Sequence, residues 1–243
     1  MGNSGNIAAP GKPLYGMFTA IPPHYDLMNT IVTWGMDKGW RRKAAKECLK
    51  SQPARVLDLC CGTGDLIITI AQLADYDVEL TGVDYSKPML DIAARKAKRL
   101  VKNRKISFIA GDAAELTFPD GYFHCIGISF AFRNLTYKNP LAQKHLSEVF
   151  RVLKPGGKFV AVESSQPECR FVRAIFHIYL RSFVFGAGYL VSGNRQAYHY
   201  LSESAARFFT PGEIRTRLLS TGFRHVSYRP LFLGAAGIHT VTK

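Results

Sequence analysis

The sequence predicts a doubly wound α/β fold, a seven-stranded and mainly parallel sheet covered by helices on both faces. Three observations predict it. Short apolar runs alternate with helical stretches from residue 55 onward. A glycine turn, Gly62-Thr63-Gly64, directly follows the first run. Acidic residues, Asp84 and Asp112, close the next two runs, where ligands of such sheets sit.

Taken in order, Trp34 to Leu49 reads as an amphipathic helix and Arg55 to Leu59 as the first strand. Leu66 to Leu73 is a helix, and Val78 to Val83 the second strand. Ser86-Lys87-Pro88 opens a helix to about Val101: Pro88 suits its first turn and Ser86 its N-cap. Ile106 to Ala110 and Phe123 to Phe130 are the third and fourth strands, followed by a helix from Pro140 to Leu153. Lys154-Pro155-Gly156-Gly157 is a turn before the strand Lys158 to Val162. Thr210-Pro211 begins the last helix, to Ser220, and the strands Val226 to Tyr228 and Gly237 to Val241 close the sheet antiparallel to each other.

The resulting organisation is a flexible tail (1–13) and a single domain (14–243). That domain divides into N-terminal helices (14–50) forming a helical cap, a core (51–163), a helical lid insertion (164–210) and the closing helix and strands (211–243). In the lid, Arg170, Arg173, His177 and Arg181 recur at helical spacing beside Phe171, Ile175, Ile178, Tyr179, Phe183 and Phe185. This pattern suits either an interfacial helix or a lid helix packed on the sheet edge.

Hydrophobic residues make up 47% of the 243, enough for a core. No apolar run reaches the roughly 18 to 20 residues of a membrane span, and no secretory signal is evident. Five cysteines without a Cys-x-x-Cys pair argue against a disulfide framework or a metal site and for a reducing cytoplasm. A net charge of +14 favours an anionic surface as partner, nucleic acid or membrane headgroups. Lys87 to Lys105 carries eight basic residues against Asp91, which also suits a solvated helix face.

The glycine turn lets a ligand approach the backbone, and the helix behind it offers free N–H groups. A dinucleotide site would need a third glycine where Ile67 stands, which counts against it. Asp84, beside Tyr85, is placed to accept from ribose hydroxyls. Asp112 is placed to accept from an adenine amino group, with Ala113 leaving room for the ring. Asp58, Gly62, Thr63 and Gly64 complete a nucleoside site.

These motifs, with Leu153 to Gly157, resemble those of class I S-adenosylmethionine-dependent methyltransferases. Tyr25-Asp26-Leu27-Met28-Asn29, Ile128-Ser129-Phe130 with Arg133-Asn134, Glu163 to Pro167 and Tyr198 to Leu201 resemble the quinone-biosynthesis C-methyltransferases. The resemblance implies S-adenosylmethionine as cofactor, held by Thr63, Asp84, Asp112, Ala113 and Ser129. The family's usual Glu-Phe-Ser-Lys-Pro is Glu-Ser-Ser-Gln-Pro here, and His124 stands where Asp is common.

Methylation of a ring carbon needs a neighbouring hydroxyl to lose its proton and the developing oxyanion to be stabilised. Arg133 and Asn134, after the fourth strand, are the expected catalytic residues with Tyr25. Arg133 also suits a structural salt bridge. Tyr25, Asn29, Arg133 and His199 are the expected substrate contacts. The resemblance implies a polyprenylated quinol as substrate, demethylmenaquinol or the benzoquinol of ubiquinone synthesis. The partner surface is an anionic membrane, met peripherally at its inner face, with no nucleic acid expected and a homodimer left open. Another phenolic or lipid acceptor, an RNA methyltransferase and a non-catalytic scaffold are the alternatives.

Overall fold

The apolar runs pair side by side in one sheet. The computed structural model describes residues 22–101, 103–184, 186 and 195–243, with the side chains of 22–25 and 195–198 excepted. The expected tail (1–13), Lys102 and Phe185 lie outside the described residues.

Two helices come first, α1 (Pro22–Val32) and α2 (Met36–Leu49). The core follows as β1 (Arg55–Leu59), α3 (Asp65–Leu73), β2 (Glu79–Asp84), α4 (Lys87–Leu100), β3 (Ile106–Ala110) and β4 (Phe123–Ser129). Then come a short α5 (Phe132–Thr136), α6 (Ala142–Val152) and β5 (Leu153–Ser164). The lid contributes α7 (Arg170–Tyr179), a π turn at Leu180–Val184, and α8 (Arg195–Ala206). The chain closes with α9 (Pro211–Ser220), β6 (Arg224–Leu231) and β7 (Ala236–Thr242). The seven strands lie in the order β3-β2-β1-β4-β5-β7-β6. β7 runs antiparallel to both neighbours, and the other pairs are parallel.

Strand alternation divides the core. Val56, Leu80, Cys125, Val160 and Val162 face one side and pack with Ala44, Cys48, Leu66 and Ile70 of α2 and α3. Leu57, Leu59, Ile126, Phe159 and Ala161 face the other, against Phe132, Leu146, Val149, Ile214 and Leu218. From β1 the chain winds outward to β3 and then returns to β4 on the other side of β1. The strand order reverses there, which opens a crevice at the carboxyl ends of β1 and β4.

Four local details differ from the sequence expectation. Ser86 sits at the N-cap of α4, but its hydroxyl makes no capping bond; its N–H donates instead to Asp84 Oδ1 (2.8 Å). The last helix, α9, does carry a full capping box between Thr210 and Glu213. The Lys154–Gly157 turn lies within β5 rather than before it. Phe123 pairs with Leu153 and Cys125 with Lys158, so four residues bulge out opposite His124. The third difference is α5, an extra helical turn that carries Arg133.

The fourth concerns the lid. The basic stripe of α7 is divided: Arg170 and Arg181 are exposed, whereas Arg173 and His177 are half-buried. Arg173 donates from Nε to the Pro167 carbonyl (2.7 Å), and His177 Nε2 hydrogen-bonds Gln166 Oε1 (2.9 Å). Burial and the neighbouring Arg181 and Arg173 push the His177 pKa down, which keeps the ring neutral. Arg181 pairs with Glu203 of α8. The apolar side chains turned to the outside are Phe171, Ile175 and Ile178.

The β5 bulge offers a test of the turn. A Cβ on Gly157 would lie 2.8 Å from the Lys154 carbonyl oxygen and 3.0 Å from that of His124. Gly156, at φ +74°, faces open space. Gly157→Ala is expected to lower unfolding free energy by about 1–3 kcal/mol through overpacking. Gly156→Ala is expected to cost about 1–2 kcal/mol, from left-handed strain alone. Urea denaturation of both variants checks the values.

Candidate active site

β1 carries Asp58 into the sheet between two glycines, Gly82 of β2 and Gly127 of β4, against which Cys61, Phe108 and Leu66 pack closely. Asp58 is buried. Its Oδ2 accepts from the Ile67 N–H (3.0 Å), and its Oδ1 has no partner among the described residues. Burial, with a further push from the Asp84 charge, raises its pKa to about 8; the Ile67 hydrogen bond opposes this. After Leu59 the chain turns through Cys60 and Gly62, both at positive φ. Space is open above Gly62, whereas a Cβ on Gly64 would meet Ala93 Cβ at 3.0 Å. Gly64 therefore lets α4 close on the loop, and Gly62 leaves the loop accessible to a ligand. Ile67, at the position of the missing third glycine, is fully buried in the core.

Asp84 ends β2 with its Oδ2 accepting from the Gly62 N–H (2.9 Å) and its Oδ1 from Ser86. Burial raises its pKa, and these backbone donors counter the shift. Asp112 Oδ1 accepts from the Ala114 N–H (3.0 Å), and Ala113 is buried beside it. Tyr85 is half-buried just beyond Asp84. Ser129 ends β4, its Oγ accepting from Arg41 Nε (3.1 Å). All nine positions read from the sequence as a nucleoside site thus lie at or just beyond the carboxyl ends of β1, β2, β3 and β4.

A charged network closes over this crevice. Thr63 donates from Oγ1 to Asp26 Oδ1 of α1 (2.6 Å). Lys96 of α4 bridges Asp26 (2.8 Å) and Asp65. Arg41 of α2 pairs with Asp37 and, at 3.6 Å, with Asp65, and lies over the Phe130 ring. Lys96, one of the basic run read as a solvated face, points inward. No sequence pattern marks the Asp26–Lys96 pair, which joins positions 70 residues apart.

Beside the crevice lies a cavity of about 950 Å³. Its walls are mostly apolar: Met28, Val32, Trp40, Phe130, Phe176 and Leu180 among them. Its polar atoms come from Asn29, Arg133, Asn134, Ser164 and Tyr200, with Thr33 and Asp37 at the α1–α2 turn. Arg133 is buried and paired with the buried Glu163: NH1 lies 3.3 Å from Oε1, and the backbone N–H donates to Oε2 (3.0 Å). The salt bridge read as one alternative from the sequence is therefore present. It leaves Arg133 Nε without a partner among the described residues, as are Asn29 Nδ2 and Asn134 Oδ1. Tyr25 sits on α1 beside these residues in the chain, but its side chain is not among those described. His199 is exposed on α8, whereas its neighbour Tyr200 lines the cavity. Burial raises the Tyr200 pKa, with Arg133 opposing. Glu163, Ser164 and Tyr200 were not singled out as site residues in the sequence. Helix period alone would have put either His199 or Tyr200 inside, because adjacent helical residues point about 100° apart.

Comparison with known proteins fits this arrangement. The model of the ubiE/COQ5 methyltransferase family matches residues 10–243. The chain belongs to that family. A demethylmenaquinone methyltransferase of Deinococcus radiodurans is 41% identical over 229 residues, covering 94% of this chain and 91% of that protein. One from Thermus thermophilus is 39% identical, covering 92% and 98%. A ubiquinone/menaquinone biosynthesis C-methyltransferase of Geotalea daltonii is 31% identical, covering 96% and 97%. Among solved structures, a putative O-methyltransferase of Nostoc punctiforme superposes with TM-score 0.68 at 16% identity, over 98% of this chain and 64% of that one. A SAM-dependent methyltransferase of Aquifex aeolicus gives 0.57 at 19%, over 83% and 88%. These last two show the shared fold.

Asp58 makes the site sensitive to pH. Its folded pKa lies above its unfolded one, so the folded state holds the proton more tightly. The stability this contributes is complete below about pH 4 and is lost as pH rises through 8, at about 1.4 kcal/mol per unit. Asp58→Asn keeps the neutral form at every pH. In the ligand-free protein the variant is expected to flatten the fall in thermal midpoint between pH 5 and 9, a difference of a few kcal/mol that calorimetry resolves.

Proposed function

We propose that this chain transfers a methyl group from S-adenosylmethionine to a ring carbon of a polyprenylated quinol, converting demethylmenaquinol to menaquinol. The observation that carries the reading is the large apolar cavity with a small, partly unsatisfied polar group on its wall. Relatives at 35–41% identity bear the demethylmenaquinone name, and those at 31–33% are named for both quinones.

The crevice residues fit the cofactor. Asp84, held by the backbone N–H groups of Gly62, Ser86 and Tyr85, stands at the strand end where ribose hydroxyls would reach its carboxylate. Asp112 and Ala113 suit the adenine, Gly62 admits the chain joining it, and Asp58, Thr63, Gly64, Tyr85 and Ser129 surround the remainder. When bound, the cofactor supplies an electrophilic methyl on a sulfonium.

The cavity holds and activates the acceptor. An unpaired buried polar atom costs about 1–3 kcal/mol, so Asn29 Nδ2, Arg133 Nε and Asn134 Oδ1 together favour a ligand that pairs them. A quinol does so: the oxygen of its reacting hydroxyl accepts from Asn29 and Arg133, and its second hydroxyl donates to Asn134. Arg133 is too basic to take the proton but stabilises the oxyanion as it forms. Tyr25, on the same helix as Asn29, is the further expected contact. Apolar walls accommodate the rings and the start of the tail.

The cavity rim also suits a membrane partner. Trp34, Phe171 and Leu233 are 72%, 73% and 75% exposed, and all three line the cavity. Phe183 stacks on Trp34, and Ile175 and Ile178 continue the outer face of α7. No described helix is long and apolar enough to cross a membrane. Burying each large apolar side chain contributes about 1.5–3 kcal/mol. Basic charge adds about 1 kcal/mol per residue near anionic lipid. Together these support reversible docking, at the cytoplasmic face, of the rim through which a lipid quinol would enter. Apolar side chains make the contact, with the exposed Arg170 and Arg181 beside them.

Two measurements test this. Expression in a methyltransferase-deficient host should restore quinones one CH2 heavier by mass spectrometry. Arg133→Met should lower kcat by about 10²–10⁴-fold, the usual share of a group that assists proton removal. No mass gain on any quinone overturns the proposed activity. Separately, Phe171→Ser combined with Ile178→Ser and Leu233→Ser should cut sedimentation with phosphatidylglycerol vesicles at least about tenfold, by the same burial energies. Undiminished sedimentation overturns the docking surface.

A further inference from the structure

We infer that Ser164 and Glu163 form the proton path out of the acceptor site, with the Ser164 hydroxyl taking the quinol proton and the Glu163 carboxylate receiving it. The inference rests on the quinol reading and names the base that reading leaves open.

The geometry is a connected chain. Ser164 lines the cavity. Its Oγ donates to Glu163 Oε1 at 2.8 Å and accepts from Arg133 NH1 at 2.7 Å. A hydroxyl has one proton and two lone pairs, so Ser164 retains one lone pair for a donor in the cavity. Glu163 behind it is 1% exposed and has no open route to solvent, so a proton reaches it from the cavity through Ser164. Three donors besides the serine hydroxyl hold the carboxylate: the Arg133 backbone N–H, Arg133 NH1 and the Ser164 N–H (2.8 Å). The titratable groups facing the pair are Arg133 from α5 and Tyr200 from α8, with Tyr137 near Tyr200.

The step balances without any further reagent. The quinol O–H bond breaks and its proton joins Ser164 Oγ, while the serine's own proton passes to Glu163 Oε1. The freed oxygen pair raises electron density at the adjacent ring carbon. That carbon forms the new carbon–carbon bond to the methyl as the methyl–sulfur bond breaks, leaving a neutral ring ketone. The ring carbon then loses its hydrogen to water as a proton. The oxygen regains a proton from Glu163 along the same path. One proton is released overall, and Glu163 ends as it began. A neutral Ser164 placed between a cation and an anion is polarised toward both, which lowers the barrier to passing a proton through it.

The test uses the full chain, Ser164→Ala, and Glu163→Gln as a second variant. One readout needs no cofactor. A prenylated 1-naphthol, which cannot be oxidised to a quinone by loss of two hydroxyl protons, is bound to the cofactor-free protein and its absorbance followed. The wild type is expected to show the naphtholate band at a pH where free naphthol is neutral, and Ser164→Ala to lose it. The second readout is turnover of a short-chain demethylmenaquinol. Ser164→Ala is expected to lower kcat about 10²-fold or more at pH 7 with KM little changed. The deficit should shrink as pH rises and the hydroxyl ionises unaided. A merely structural role for Ser164 predicts a deficit that does not vary with pH and an unchanged naphtholate band; that result overturns the path. Active wild type with Ser164→Ala equally active overturns this inference alone. A wild type inactive on every quinol overturns the proposed function and the path together.

Discussion

A charge enclosed by apolar walls must be paired, and in this protein that constraint falls on Arg133. Glu163 meets it from the neighbouring strand, and both are buried. Removing either partner of such a pair strands the other charge, at a cost of about 3–5 kcal/mol. The pair locks α5 to the end of β5. It also bears on the cavity that Arg133 lines: with Nη1 committed to Glu163 and Ser164, Nε is left without a partner among the described residues. The same interaction that stabilises the local fold therefore leaves the polar group a quinol oxygen would need.

The crevice beside the cavity is organised by backbone donors rather than by cations. Asp58, Asp84 and Asp112 each accept from an N–H of the turn that follows or adjoins their strand. The acids are thereby held in place at the strand ends. Cations enter one layer higher. Lys96 and Arg41 join Asp26, Asp37 and Asp65, tying α1 and α2 to the glycine turn. Asn29 lies on α1, so the element tied to the glycine turn also brings a polar residue to the cavity. One network couples the two halves of the site.

In the lid, amphipathicity is turned around. α7 directs Arg173 and His177 toward polar partners on the body and leaves Phe171, Ile175 and Ile178 outside. Carbonyl and amide partners from Pro167 and Gln166 satisfy the polar face locally. The apolar face borders the cavity through Phe171 and Ile175 but stays largely exposed. On the proposed docking to a membrane, that arrangement would place the apolar side chains at the cavity rim against lipid.

The sequence by itself determined the sheet, the glycine turn and the strand-end acids, because period-2 burial, glycine turns and acidic strand ends are local patterns. The family resemblance likewise pointed to Arg133, Asn134 and Asn29. Three things were decided only by tertiary structure. Helical spacing groups residues on a face without saying which face is inside, so the orientation of α7 and the choice between His199 and Tyr200 depended on packing. Ion pairs between distant positions, such as Asp26–Lys96, leave no trace in spacing. Glu163 and Ser164 lay just past the strand read as Lys158 to Val162, inside a motif of the family, and only the fold set them against Arg133, because spacing does not tell which distant side chains meet.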